Sequence, residues 1–344
     1  MSTSAPRAAR APRPLPVASR MEDVARLAGV SMITVSRVLN TPDKVAPATR
    51  RKIEAAIRKT GYMPNLTAGS LASSKSRIIA AIVPTIDNSI FAETVRGLSE
   101  TLAAGGYQLL LGQTGYDAEV EEALVAAFLG RRADGIVLTG AKHSRLAVRR
   151  LKAAGIPVVE TWDLPIAPID MVAGFSNFEA GRAMAQHLLA KGHRRFGLAG
   201  GDDDRTLARR GGFEAALRPK RGASLVTSLL TAGRSYSSGR EALTQMLSSD
   251  AKLDAIFFSN DALAVGALME CRRRGIRVPQ DLAIAGFADL DIAAEIEPAL
   301  TTVKVRSRHI GDEAGRMLLT RLAGKAVTEP VRDVGFTIVE RAST

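Results

Sequence analysis

Ser31, Met32, Ile33, Thr34, Ser36 and Arg37 fall within seven consecutive residues, and their side chains suit contact with nucleic acid better than bond making. Apolar Met32 and Ile33 can read groove shape and thymine methyl groups. Arg37 can hold guanine through two hydrogen bonds, while Thr34 and Ser36 can hydrogen-bond phosphate. Asn40 closes the set at its far end. Ser31 suits a helix N-cap, because its hydroxyl can accept a backbone N–H from the next turn. Val30, Val35 and Val38 already supply an inner face, which favours a surface role for Met32 and Ile33 over a place in the core.

Two short helices must position this set. The first is expected over residues 21–28, with Val24, Leu27 and Ala28 at helical spacing, and the second over 31–39, with Val35, Val38 and Leu39 inward. Gly29 between them lets the chain reverse. A third helix is expected over 47–60: Pro47 suits a first turn, Ile53, Ala56 and Ile57 form a stripe, and Gly61 stops it. Its Arg50, Arg51, Lys52, Arg58 and Lys59 either contact phosphate or solvate the helix. Residues 20–64 therefore read as an all-α helix-turn-helix domain, whose second helix enters the DNA major groove in proteins of this type.

Charge follows the same division. The net charge is +12, and residues 1–76 hold 13 Lys and Arg against 4 Asp and Glu. A basic head on a near-neutral remainder fits a polyanion-binding module joined to something else; from charge alone, a solvated charged face is the alternative. Residues 1–19 alternate Ala and Pro with Arg and lack the apolar segment of a secretory signal, so they read as a disordered basic tail. At 344 residues and 46% hydrophobic, the chain has material for two or three domains.

Several function classes are disfavoured. Cys271 is the single cysteine, so neither an intramolecular disulfide nor a cysteine-rich zinc site is expected, which suits a reducing cytoplasm. It reads as a small buried hydrophobe. There is no apolar run of the roughly 18 residues that a membrane span needs. His143, His187, His193 and His309 have no metal-ligand spacing and no evident nucleophile partner. The glycines at 197, 200 and 201 lack the full dinucleotide-binding spacing. No catalytic residue, metal or cofactor is expected, and an enzyme is a weaker reading than a regulator.

From residue 77 onward, apolar runs at 78–83, 108–111, 135–138, 158–160, 196–199, 225–229, 255–258 and 282–286 alternate with amphipathic segments at 91–104, 119–129, 178–190, 209–217, 240–247 and 261–274. Continuous apolar strands separated by helices imply parallel sheets covered on both faces. About 265 residues of this pattern make two doubly wound lobes, with a crossing near Phe175-Ser176 and a site between them at the strand C-termini.

The head resembles the lactose-repressor (LacI/GalR) family through Asp23-Val24-Ala25, Ala28-Gly29-Val30-Ser31, Thr34-Val35-Ser36-Arg37, Gly61-Tyr62, Pro64-Asn65 and Leu71-Ala72. The resemblance implies an α/β two-lobed periplasmic-binding-protein-like core over 77–341. Lobe 1 would take about 77–175 and 304–334, and lobe 2 about 176–303 and 335–341. It also implies that residues 65–76 form a hinge that becomes helical on DNA, with Asn65 at its start and Leu71 entering the minor groove. A small-residue stretch of poor helicity would need that partner before folding. Without the resemblance, a passive linker fits equally well.

Carried over on strand ends, the resemblance places Ile90 and Phe91, then Glu160, then Phe175 and Asn177, toward a small effector. Arg205 and Arg209 match the segment that supplies the effector arginine, Tyr236 an aromatic wall, and Asn260 the motif after strand 255–258. One departure matters. Many sugar-binding members have an acidic residue directly after the Gly-Phe ending a late strand, whereas here Gly286-Phe287 is followed by Ala288, with Asp289 one place later. Loss of that carboxylate would relieve repulsion of an anionic ligand, and Arg205 and Arg209 could pair with it. Local strings such as Gly115-Tyr116, Arg205-Thr206 and Tyr236-Ser237-Ser238-Gly239 resemble the family's gluconate-utilisation repressors.

The expectation is thus a cytoplasmic regulator, by the resemblance a repressor, that binds a palindromic double-stranded DNA operator as a homodimer under control of a sugar acid such as gluconate. No leucine heptad follows strand 336–339, so no tetramerising coiled coil is expected. The same regulator responding to another sugar or polyol is the first alternative. A solute-binding protein of a transport system would share the two lobes, but the helix-turn-helix argues against it.

Overall fold

In the computed structural model, which describes residues 19–63, 75–86, 89–230, 235–249 and 252–344, the chain forms two compact units, Met1–Lys75 and Ser76–Thr344. The expected tail, Asn65, Leu71 and nearly all of the expected hinge lie outside the described residues, as does the side chain of Asn40.

The first unit holds α1 (Met21–Ala28), α2 (Met32–Asn40) and α3 (Pro47–Thr60). Gly29 ends α1 at φ 67° and Gly61 ends α3 at φ 64°, a left-handed backbone that glycine adopts without steric penalty. The Ser31 hydroxyl accepts the Thr34 N–H at 3.3 Å and so starts α2. Val24, Ala25, Val35, Val38, Ile53, Ala56 and Tyr62 form the core. Full burial of a Val or Ile is worth about 1.5–3 kcal/mol, so a handful of such residues stabilises the domain. Leu27 is a correction to the expected inward stripe: it is 46% exposed. α3 docks on the Val24–Ala25 side of α1, which leaves Leu27 at the rim.

The second unit contains two six-stranded sheets. The first takes β1 (Ile78–Val83), β2 (Gln108–Gln113), β3 (Gly135–Thr139), β4 (Val158–Thr161), β5 (Met171–Gly174) and β11 (Val331–Asp333), in the order β11-β5-β4-β3-β1-β2. The second takes β6 (Arg195–Gly201), β7 (Ser224–Leu230), β8 (Ala255–Phe258), β9 (Ala283–Ala288), β10 (Thr301–Val305) and β12 (Phe336–Val339), in the order β12-β10-β9-β8-β6-β7. Pairing is parallel except where β12 runs against β10. Central strands β4, β5, β8 and β9 are buried along their whole length, as helix-covered parallel strands must be.

The chain crosses from the first lobe to the second after β5, returns after β10, and crosses again between β11 and β12 at Gly335. α4 (Ala92–Ala104), α5 (Ala118–Gly130), α6 (Arg145–Ala154) and α12 (Ser307–Leu322) belong to the first lobe. α7 (Asn177–Ala190), α8 (Asp204–Leu217), α9 (Tyr236–Ser248), α10 (Asp261–Arg274) and the short α11 (Ile292–Glu295) belong to the second. β5, β10 and β11 were not among the expected apolar runs, and α6 and α12 were not among the expected amphipathic segments. α7 and α8 cross at Gly181 and Gly212, where a Cβ would collide with the backbone carbonyls of Arg209 and Phe178.

The lobes share an apolar floor. Trp162 meets Phe91 edge-on at 4.9 Å between ring centroids and Phe175 at 6.0 Å. Phe175 lies 6.0 Å from Phe287 of the second lobe, so aromatic contacts run from one lobe into the other.

Candidate functional site

On the helix-turn-helix unit, α2 presents Met32 and Ile33 at 49% and 66% exposure, while Val35 is fully buried one turn away. Arg37 is exposed on the same helix. Ser31 and Thr34 share a hydroxyl contact at 2.9 Å, so their side chains secure the helix start as well as standing beside the presented face. Ser36 is half-buried. This short polar and apolar set on the exposed face of α2 has the chemistry to contact base edges and phosphates in a groove.

In the second unit the strand C-termini meet at a cleft between the lobes. Asp203 caps α8 by accepting the Thr206 N–H at 3.3 Å and hydroxyl at 3.0 Å. Capping there fixes the first turn of α8, and the four-residue spacing sets Arg205 and Arg209 on one face toward the cleft. Arg209 donates from Nη1 to Asn177 Oδ1 at 2.5 Å and from Nη2 to Thr206 Oγ1 at 3.2 Å. Its guanidinium carbon lies 4.1 Å from the ring centroid of Phe287. Arg205, also from the second lobe, lies 5.3 Å and 5.9 Å from the rings of Phe91 and Tyr116 in the first. Such ring contacts favour a cation most where water is excluded.

Both guanidiniums are buried, and each keeps a donor free. Arg205 Nη1 and Arg209 Nε have no hydrogen-bond partner among the described residues. Burial lowers the Arg209 pKa to about 10, with Asp203 acting in the opposite direction, so the group stays cationic near neutrality. Leaving a charged donor buried without an acceptor is unfavourable, and an anion in the cleft would satisfy it.

Ile90, Phe91, Trp162, Phe287, Ser259 and Asn260 complete the wall around these cations. The inner space is narrow, about 20 Å³ and so roughly the room of one water. It shares Tyr116, Asp203 and Arg205 with a mouth of about 400 Å³. Backbone strain clusters here: Tyr116 has φ 69°, Trp162 φ 67° and Ala288 φ 111°, conformations that non-glycine residues hold only when their surroundings fix them.

Of the expected ligand residues, Ile90, Phe91, Arg205, Arg209 and Asn260 come together in this wall. Asn177 stands behind it, orienting Arg209 and donating to the Trp162 carbonyl at 2.8 Å. Phe175 belongs to the aromatic floor. Glu160 is turned away, accepting the Ile169 N–H at 2.6 Å and lying 3.6 Å from His143 Nε2. Tyr236 is half-exposed at the start of α9 and outside the wall. Asp289 is engaged by Arg341 at 2.7 Å and Lys304 at 3.1 Å, which hold its carboxylate outside the wall as well.

Tyr116, Trp162, Asp203, Thr206, Ser259 and Phe287 were not among the expected ligand residues. Tyr116 and Trp162 carried one usable signal, an aromatic directly or shortly after an apolar run. Neither a group of three or more metal-ligating side chains nor a helix long and apolar enough to cross a membrane occurs among the described residues. Burial raises the Cys271 thiol to about 11, which keeps it protonated.

Residues 20–65 match the family described as bacterial regulatory proteins, lacI family, and residues 185–344 match the periplasmic binding protein-like domain. The chain is 39% identical over 321 residues to the HTH-type transcriptional regulator GntR of Escherichia coli K12, covering 92% of this chain and 96% of that one. A solved LacI-family regulator from Silicibacter pomeroyi superposes with a TM-score of 0.88 at 34% identity, over 94% of this chain and 99% of that one. The lac repressor dimer solved with operator and the anti-inducer ONPF superposes with a TM-score of 0.81 at 25% identity, over 95% and 99%.

Proposed function

Because the chain belongs to the LacI family of DNA-binding transcriptional regulators, we propose that it is a repressor that binds a palindromic operator as a homodimer and responds to a sugar acid, gluconate foremost, held between its two lobes. A protein of this family is a regulator and not an enzyme. The cytoplasm, where operator DNA lies, is its place of action in this reading.

The observation that carries the effector class is the pair of buried guanidiniums. Arg205 and Arg209 both line one narrow space, Arg205 Nη1 and Arg209 Nε have no hydrogen-bond partner among the described residues, and Asp203 is the carboxylate in the wall of that space. A carboxylate there would offer charge-assisted hydrogen bonds to these guanidiniums. Ala288 at the strand end, and Asp289 drawn to Lys304 and Arg341, leave that anion unopposed from the β9 side. The likeness to the regulator named GntR accords with the gluconate-repressor strings in the sequence.

Ser31, Met32, Ile33, Thr34, Ser36, Arg37 and Asn40 form the operator-reading set, with Asn65 and Leu71 making the grip conditional on a folded hinge. Two copies, as in the operator-bound dimer that this fold resembles, would place one head on each half-site. Effector binding that changes the relation of the lobes would alter operator affinity, and the two affinities are then reciprocally linked. Replacing Leu71 with Ala weakens operator binding and spares effector binding in this reading.

Isothermal titration of the full chain with gluconate is the test of the site. A binding isotherm that disappears in Arg209→Ala supports the reading. An intact isotherm in that variant refutes the role of Arg209.

A further inference from the structure

We propose that the mouth of the cleft selects against a second negative charge, so that the protein responds to a sugar acid ending in a hydroxyl and not to the same acid carrying a terminal phosphate ester. This rests on the reading of the cleft as a sugar-acid site.

The two parts of the cleft differ in size and in sign. The inner space, at about 20 Å³, admits one water-sized group such as a single carboxylate oxygen, so in this arrangement the rest of a six-carbon chain extends into the mouth of about 400 Å³. Inside, the charges are the guanidiniums of Arg205 and Arg209 beside the single carboxylate of Asp203. The mouth is lined by five carboxylates, Asp117, Glu121, Asp202, Asp203 and Asp204, against two cations, Lys142 and Arg205, with the protonated His143 buried behind Glu121.

Each of these cations already has a carboxylate partner in the mouth. Lys142 reaches from the first lobe to Asp204 of the second at 2.9 Å. The Arg205 guanidinium carbon lies 5.3 Å and 5.9 Å from the Phe91 and Tyr116 ring centroids, its Nε is 3.6 Å from Asp203, and its Nη1 is buried. The acidic side chains are built into the fold. Asp117 caps α5 through the Glu119 and Val120 N–H groups, Asp203 caps α8, and Glu121 is held by His143 at 2.8 Å. A ligand oriented by its carboxylate therefore places its far end among fixed like charges, where a hydroxyl finds acceptors and a phosphate dianion meets repulsion.

The test is calorimetric titration of the full-length wild type with gluconate and with its 6-phosphate ester, repeated on Asp202→Asn/Asp204→Asn. The expected result is at least tenfold tighter binding of gluconate by the wild type. The double variant should gain affinity for the phosphate ester and narrow the ratio severalfold. Raising the salt concentration should narrow it in the wild type, because exposed charges are screened within about 10 Å at 0.1 M. If the double variant does not fold, Asp202→Asn alone, at an exposed position, carries the same readout. Equal or tighter binding of the phosphate ester by the wild type overturns the proposal, as does an unchanged ratio in the variant. Failure of the wild type to bind gluconate is a separate outcome that overturns the sugar-acid reading and this selectivity with it.

Discussion

Arg209 and Phe287 form a stacked pair, with the guanidinium carbon of one 4.1 Å from the ring centroid of the other. The pair joins α8 to the end of β9 and covers one face of a buried cation. Phe287 in turn meets Phe175, and Phe175 meets Trp162 of the first lobe. The residue that would bind the effector thus rests on the aromatic floor shared by the lobes, and a change at Arg209 has a direct route into their packing.

Removing the ring should weaken the effector without removing its charge partner. A desolvated cation–π contact is worth about 2 kcal/mol, so Phe287→Leu is expected to lower gluconate affinity by roughly tenfold or more. Trp162 is the chain's single tryptophan and lines the same space, so its fluorescence reports the titration. Unaltered affinity in Phe287→Leu would remove the stack from the account.

The close crossing of α7 and α8 gives a second handle. Gly181 has no room for a Cβ beside the Arg209 carbonyl, so Gly181→Ala must push α8 away. Overpacking of this kind destabilises by about 1–3 kcal/mol. The thermal midpoint of the core should fall and gluconate binding should weaken together; a variant with wild-type values for both would show that the crossing relaxes freely.

His143 supplies a pH dependence. It is buried between Glu121 and Glu160, and although desolvation alone would lower its pKa, the hydrogen bond to Glu121 and the nearby carboxylate of Glu160, 3.6 Å away, raise it to about 9. A folded value above the unfolded 6.5 means that the contribution, on the order of 3 kcal/mol, is fully present below pH 6.5 and lost as pH rises through about 9. Urea midpoints measured from pH 6 to 10 should show the wild type losing its advantage over His143→Gln across that window. A difference between the two proteins that stays constant with pH would contradict the assignment.

For the head, Met32→Ala with Ile33→Ala should leave the domain folded, since both side chains are exposed and Val35 keeps the core. Affinity for an operator selected from random DNA should fall by about 10- to 100-fold, with non-specific binding little changed because phosphate contacts remain. Selection by the variant of the same sequence with equal affinity would assign readout elsewhere.

Much of the plan is legible in the sequence because the physics that buries both faces of β1, β3, β8 and β9 also makes them continuous apolar runs. β11 escapes this logic: Val331-Arg332-Asp333 is an exposed edge with no apolar signature. The four-residue β5 follows a proline-containing loop and ends at the lobe crossing, where it reads as part of the connection. Arg205 and Arg209 are readable as a pair because helical spacing fixes their common face. Asp289 is not, because its partner Arg341 lies 52 residues away and only the folded sheet brings them together. Trp162 and Phe287 likewise meet the cleft through strand packing, and strand packing leaves no local pattern in the sequence.

The central claim, that one chain couples operator binding to a sugar acid through Arg209, is tested most directly by fluorescence anisotropy. A labelled operator obtained by selection with the protein is titrated with and without saturating gluconate, for wild type and Arg209→Ala. The account predicts at least a tenfold change in wild-type operator affinity on adding gluconate, and an Arg209→Ala protein that binds operator normally and does not respond. A wild type indifferent to gluconate, or an Arg209→Ala variant that responds in full, would contradict it.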